Sequence, residues 1–204
     1  MLKYFIKTPG WLKKIFPHRI WHIDTDDKIL YLTFDDGPHP SITAFVLDEL
    51  KKYNAKATFF CIGKNVEANA EIYNQILQDG HRVGNHTHNH LNGWKTKDDL
   101  YLKDIALADR FIQSDLFRPP YGRLKSSQAR KMTNLKIVMW DVLSGDFDKN
   151  TSKDQCLQNV LKNAGPGSVI VFHDSEKASE NLLFTLPKVL DFFSRAGYTF
   201  LPIP

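Results

Sequence analysis

The chain has 204 residues, 42% of them apolar and 12% aromatic, which argues against a disordered chain and leaves enough material for one globular domain with a sizeable core. Its formal net charge of +4 would suit nucleic acid, but residues 1–23 hold Lys3, Lys7, Lys13, Lys14 and Arg19 and no acid. The rest carries 22 basic against 23 acidic residues, a net of about −1, so no nucleic-acid face is expected.

The first element is this basic arm. It mixes its cations with Tyr4, Phe5, Ile6, Trp11, Ile15 and Phe16, and two expectations follow: its aromatics cap the bottom of the domain, or residues 1–23 touch an anionic membrane surface weakly. Lys7, Pro9 and Lys13 interrupt any apolar run of a secretory signal, and no small-residue cleavage site follows. No stretch approaches the ~20 apolar residues that span a bilayer. Cys61 and Cys156 are too few for a disulfide framework and are expected as buried thiols.

Short apolar or β-branched runs then read as strands at residues 29–34, 57–62, 82–85, 116–118, 137–142, 168–172 and 198–203. Between the first two, Ile42, Phe45, Val46, Leu50 and Tyr53 recur at helical spacing, with Ser41 after Pro40 as the expected N-cap. Further helices are expected over 66–79, stopping at Gly80, then over 98–112, 126–133, 153–163 and 181–195, the last ending before Gly197. No repeat or linker divides the chain, which is read as an arm (1–27) and one domain (28–204). Strand and helix in alternation call for a parallel sheet. Reactive residues follow five different strands, which favours a distorted (β/α) barrel of about seven parallel strands, TIM-barrel-like, over an open sheet with one switch point.

The run T-F-D-D-G-P-H (33–39) ends the first strand in two adjacent carboxylates, Asp35 and Asp36. Neighbours at a strand end point to opposite sides, so one can ligate while the other stays free. Gly37-Pro38 then turns the chain sharply. H-T-H-N-H (86–90) offers His86 and His90 at i, i+4, one face of a helical turn. In an extended segment His86, His88 and His90 would line one side instead; Gly84 and Asn85 favour a turn into a helical start, and with it the pair His86 and His90. Together with one aspartate they form an O,N,N set with an open position, the pattern of catalytic zinc. His173, in V-I-V-F-H-D, is a proton donor if Asp146 or Asp141 of W-D-V-L-S-G-D-F orients it. In F-R-P-P-Y-G the Tyr121 backbone N–H is an oxyanion donor, and Arg118 holds the base carboxylate in place.

The motifs TFDDG (33–37), HTHNH (86–90), RPPYG (118–122), WDVLSGD (140–146) and VFH (171–173), in this order over about residues 28–203, resemble the polysaccharide deacetylases of the NodB-homology group, carbohydrate esterase family 4. The resemblance implies a distorted (β/α) barrel and a divalent metal, zinc with cobalt as the alternative. It implies a hydrolase that removes N-acetyl groups from N-acetylglucosamine-containing glycans such as peptidoglycan, chitin-like oligomers or poly-hexosamine. Residue by residue, it implies Asp35 as base, Asp36, His86 and His90 as metal ligands, and His173 as acid. Arg118 then orients Asp35, Tyr121 donates its backbone N–H, Asp146 tunes His173, and Trp140, Val171 and Pro120 line the substrate pocket. Phe147, Leu143 and Val171 stand where the family often has Trp, Asp and Leu. Base, acid and ligands are all present, so an active enzyme is expected. An O-acetyl esterase acting on xylan is the rival within enzymes, and a non-catalytic glycan-binding protein is disfavoured by the presence of Asp35 and His173. Family substrates lie outside the cytoplasm, whereas the arm shows no clear signal and favours a cytoplasmic or peripheral membrane location.

Overall fold

The structure, a computed structural model, describes residues 4–204; residues 1–3 of the arm, Lys3 among them, lie outside that range. Eight short strands carry the fold: β1 (Ile29–Asp35), β2 (Thr58–Cys61), β3 (Arg82–Asn85), β4 (Leu116–Phe117), β5 (Lys136–Ile137), β6 (Val142–Leu143), β7 (Val169–His173) and β8 (Thr199–Phe200). The helices are α1 (Gly10–Ile15), α2 (Ile42–Lys52), α3 (Gly63–Ala68), α4 (Ala70–Gln78), α5 (Asp98–Ala108), α6 (Ser126–Lys131), α7 (Lys153–Leu161) and α8 (Ser179–Arg195). All the ladders between strands are parallel, in the order β5-β4-β3-β2-β1-β7-β6 with β8 beside the start of β1. The sheet curls into a distorted, incomplete (β/α) barrel, as expected.

Alternation along the central strands decides what faces inward. Leu30, Leu32 and Phe34 of β1 and Ile170 and Phe172 of β7 join Val46 and Leu50 of α2 and Leu186 and Leu190 of α8 in the main core. Tyr31 and Val169 point the other way, into a second cluster with Phe60, Leu116, Val138 and Ile203. With a side-chain period of two, Thr33 and Asp35 share the face of Tyr31, and Val171 and His173 share that of Val169. The polar ends of two apolar strands are thereby aimed into the barrel mouth.

Three expectations change. The strand expected over 137–142 is two strands, β5 and β6, on opposite edges of the sheet. Residues 138–141 cross the seam between those edges, where the arm pairs with part of their backbone and with β6: Met139 N donates to Ile20 O at 2.7 Å, Thr8 N to Asp141 O at 2.9 Å, and Leu143 N of β6 to Ile6 O at 2.8 Å. A sheet with too few strands to close exposes two edges, and the arm covers them here. The helix expected over 66–79 starts at Gly63 and breaks at Asn69, whose side-chain amide donates to the Asn65 and Pro38 carbonyls. Ser41 precedes α2 but makes no cap bond; the Thr43 hydroxyl accepts the His39 N–H instead, at 2.7 Å.

The arm also turns charge inward. Lys7 and Lys13 place Nζ 2.5 and 2.6 Å from the two oxygens of Asp141, a buried carboxylate that also accepts the Ser168 hydroxyl at 2.7 Å. Trp21 is buried, while Phe5, Trp11 and Ile15 stay exposed. No helix among the described residues is long and apolar enough to cross a membrane. Both cysteines are buried free thiols.

Candidate active site

Asp35 ends β1, His173 ends β7, and the two are register partners across that parallel ladder. Their side chains therefore leave the sheet together on the inner face. Behind Asp35 lies Arg118, fully buried just past β4. Its Nη1 donates to Asp35 Oδ1 at 2.6 Å and to the Thr33 hydroxyl at 2.8 Å, Nη2 to the Met139 carbonyl at 2.8 Å, and Nε to the Val138 carbonyl at 3.3 Å. The guanidinium also lies 4.1 Å from the centre of the Phe60 ring. A buried cation with every edge engaged is a fixed pivot for one carboxylate oxygen.

Asp36 leaves the strand with φ +82°. Its Oδ1 lies 3.2 Å from His90 Nε2 and 3.7 Å from His86 Nε2, yet is buried with no hydrogen-bond partner among the described residues. The Nδ1–H of His86 donates to the Arg118 carbonyl at 2.7 Å, and because a carbonyl only accepts, the Nε2 lone pair is the one facing Asp36. Burial pushes the His86 ring down to about 4, so it is neutral at neutral pH, as a ligand must be. The Asp36 carboxyl, raised by burial, is lowered further by His90, His173 and His86 and ends well below the usual carboxylate range. One O and two N donors thus converge within 4.8 Å of one another. A divalent cation among them would satisfy an oxygen that nothing else reaches, so the donor set fits a metal.

The H-T-H-N-H segment reaches this geometry without the expected helical turn. It is a loop in which Thr87 and His90 take φ +63° and +56°. Asp104 of α5 pins it by accepting the N–H groups of His88 and Asn89, each at 2.9 Å, and the Asn89 amide at 2.6 Å. The His86 and His90 rings end 5.1 Å apart, while His88 turns away to stack on Phe111. Of the five non-glycine residues with positive φ among those described, Asp36, Thr87, His90 and Tyr121 are at this site. Backbone conformations that are costly elsewhere are concentrated where side chains must converge.

On the other flank, His173 Nδ1 lies 2.8 Å from Asp146 Oδ1. Burial alone would lower the His173 ring, but the charge and hydrogen bond of Asp146, with Asp36 and Asp35 beyond, raise it to about 9. Asp141, the other orienter the sequence offers, is held by Lys7 and Lys13 and takes no part. Phe147 packs edge-on against the His173 ring, centroids 5.0 Å apart, and is backed by Tyr4 of the arm at 5.2 Å. Tyr121, φ +60° in the 3₁₀ turn Pro120–Gly122, lays its exposed ring 4.6 Å from His90. Gly122 sits against the Trp140 indole, Pro120 is buried, and Val171 points inward between Thr33 and Leu143, its register partners.

Sequence reasoning assigned no role to Asp174 or Asp104. The Asp174 carboxylate is buried, accepts Gly37 N–H at 3.0 Å and the Thr43 hydroxyl at 2.5 Å, and is pushed up to about 7, chiefly by burial. A Cβ at position 37 would lie 2.1 Å from its Oδ2, which explains the glycine after Asp36. The available signal was an acid immediately after His173, facing away from the barrel interior by strand alternation.

The sequence profile of the family described as polysaccharide deacetylase matches residues 22–140. A peptidoglycan-N-acetylglucosamine deacetylase of Bacillus cereus is 34% identical over 191 residues, 90% of this chain and 90% of that protein. The chain belongs to the polysaccharide deacetylase family. Another relative of this deacetylase is the peptidoglycan-N-acetylmuramic acid deacetylase PdaC of Bacillus subtilis, 35% identical over 77% of this chain but only 34% of that longer protein. Among solved structures, the peptidoglycan N-acetylglucosamine deacetylase Bc1960, crystallised with an N-oxidanyl-benzamide, superposes with a TM-score of 0.87 at 33% identity, covering 97% of this chain and 95% of that one. The fold match extends past residue 140, over the segments of the deacetylase that carry Asp146 and His173.

Proposed function

We propose that the protein, a polysaccharide deacetylase, removes N-acetyl groups from an N-acetylglucosamine-containing glycan, peptidoglycan foremost, and releases acetate. Its catalytic unit is residues 28–204 with the arm 1–27 laid over the seam, and its substrate is an extracytoplasmic wall polymer. The observation that carries this reading is the pairing of Asp35 with His173 across β1 and β7 beside the Asp36, His86 and His90 donors. Zinc, with cobalt as the alternative, is the metal those three side chains would hold; when bound it supplies Lewis-acid polarisation of an acyl carbonyl. The Bc1960 ligand supports this, since an N-hydroxy amide chelates metals through its two oxygens.

Asp35 takes a proton from the attacking water, and Arg118 keeps that carboxylate aimed. The Tyr121 N–H, which donates to no carbonyl of the described residues, stabilises the oxyanion, a contribution of about 10²–10³ in rate for one such donor. His173, protonated at neutral pH, gives its Nε2 proton to the departing amine while Asp146 holds Nδ1–H. The C–N bond breaks, leaving acetate and an amino sugar. Val171, Trp140 and Pro120 line the pocket around the acetyl methyl.

Acetate release from N-acetylglucosamine oligomers and peptidoglycan fragments, with zinc or cobalt added, tests the reading. Asp35→Asn is expected to lower kcat by about 10²–10⁴ with metal binding retained. Unchanged turnover in that variant would overturn the mechanism, and release confined to O-acetylated xylan would replace the substrate.

A further inference from the structure

Four residues past His90 the chain presents Trp94, an indole left 59% exposed. The loop that carries it is pinned from three sides. Gln128 donates to the Gly93 carbonyl at 2.9 Å, Lys125 Nζ to the Thr96 carbonyl at 2.7 Å, and Trp94 N–H to Asn92 Oδ1 at 3.1 Å. Gly93 itself lies so close to the Arg123 carbonyl that a Cβ there would be 2.4 Å from it. The Arg123 guanidinium lies 5.0 Å from the centre of the Trp94 ring. The acids nearby in sequence, Asp98 and Asp99, face Lys125 and Lys131 instead, each at 3.6 Å. Two residues before Arg123, Tyr121 lays its ring on His90. Trp94, Arg123 and Tyr121 thus make a rigid, exposed rim continuous with the metal-binding flank of the site.

An aromatic held in place by its own loop at the edge of the site offers a fixed apolar face to a ligand. The rim is two rings and one cation wide, far short of the ~800 Å² per partner of a standard protein interface. A pyranose ring fits it: its face of polarised C–H groups packs on the electron-rich face of an indole. The guanidinium lies over one side of that ring, and its N–H groups have no hydrogen-bond partner among the described residues, which leaves them for a carboxylate. We propose that Trp94 and Arg123 form a subsite for the sugar next to the unit being deacetylated, the indole stacking on the pyranose and the guanidinium taking a carboxylate borne by that sugar. This rests on the deacetylase reading of the site.

Calorimetric titration of the zinc-loaded Asp35→Asn protein tests it, with two probes: the neutral N-acetylglucosamine tetramer, and a tetrasaccharide alternating N-acetylglucosamine with N-acetylmuramic acid. Adding Trp94→Ala is expected to weaken both by about tenfold, while Trp94→Phe keeps most of the affinity. Adding Arg123→Gln is expected to weaken only the muramic-acid probe, again by about tenfold. Unchanged binding in Trp94→Ala overturns the stacking role, and equal loss of both probes in Arg123→Gln overturns the carboxylate role. Failure of the parent to bind either probe overturns the subsite. Acetate release from the same probes by the unmutated enzyme reads the deacetylase assignment separately, because its loss would leave a Trp94-dependent affinity standing.

Discussion

One carboxylate, that of Asp146, binds His173 twice: Oδ1 lies 2.8 Å from the ring Nδ1, and Oδ2 accepts the His173 backbone N–H at 2.7 Å. The ring therefore cannot turn without breaking contact with a group that is also anchored to the strand. This keeps Nδ1–H on Asp146 and leaves Nε2 as the ring nitrogen that can give up a proton.

Asp146→Asn should uncouple that arrangement. The His173 ring, raised to about 9 in the folded metal-free protein against an ordinary 6.5, is expected to fall back toward the ordinary value. NMR titration of the ring measures it directly. Because the folded value is the higher one, the stabilisation from this pair is fully present below about pH 6.5 and is lost as pH rises through about 9. The alkaline limb of the activity profile is expected to move to lower pH in the variant, with kcat/KM down about 10²-fold or more.

Chelation should abolish acetate release, and zinc should restore it. His86→Ala and His90→Ala are expected to lose stoichiometric zinc in equilibrium dialysis, whereas His88→Ala keeps it. His88 contributes its stack on Phe111, so its replacement should change stability by only about 1 kcal/mol. Loss of zinc in His88→Ala would contradict the donor set.

Gly37→Ala puts a methyl group into the Asp174 carboxylate. Backbone and carboxylate are both buried, so the clash cannot be relieved by rotating a flexible chain end. A destabilisation of about 1–3 kcal/mol is expected by thermal unfolding. Activity should fall as well, since Asp36 moves with the same turn.

Lys7→Met with Lys13→Met should expose what the arm contributes to stability. Asp141 is buried and, among the described residues, would keep only the Ser168 hydroxyl and His22 nearby. Uncovering a buried charge costs about 3–5 kcal/mol when the pair is fully buried, and the partly exposed lysines reduce this to about 2 kcal/mol. Each single variant should cost less than half of that, because the other lysine remains. Chemical denaturation of the three variants measures the difference.

The barrel class and the helix and strand order follow from period-two and period-3.6 apolar patterns, and the motifs supply residue types that suit one chemistry, while the family resemblance alone assigns Asp35 and Asp36 their separate expected roles. What the pattern could not carry lies in contacts between residues far apart. Residues 137–142 read as one strand because five of the six are apolar, Asp141 being the exception; only the barrel seam, filled by backbone from the arm, makes them serve two edges. Asp141 and Asp146 look alike in sequence, and their partners, Lys7 and Lys13 for one and His173 for the other, stand at least 27 residues away.

The same division holds at the candidate metal ligands. The spacing of H-T-H-N-H determined that two imidazoles could meet. Which pair meets was decided by left-handed backbone at Thr87 and His90 and by Asp104 reaching across from α5, because a backbone conformation outside the regular regions is stabilised by tertiary hydrogen bonds and leaves no periodic trace in the sequence.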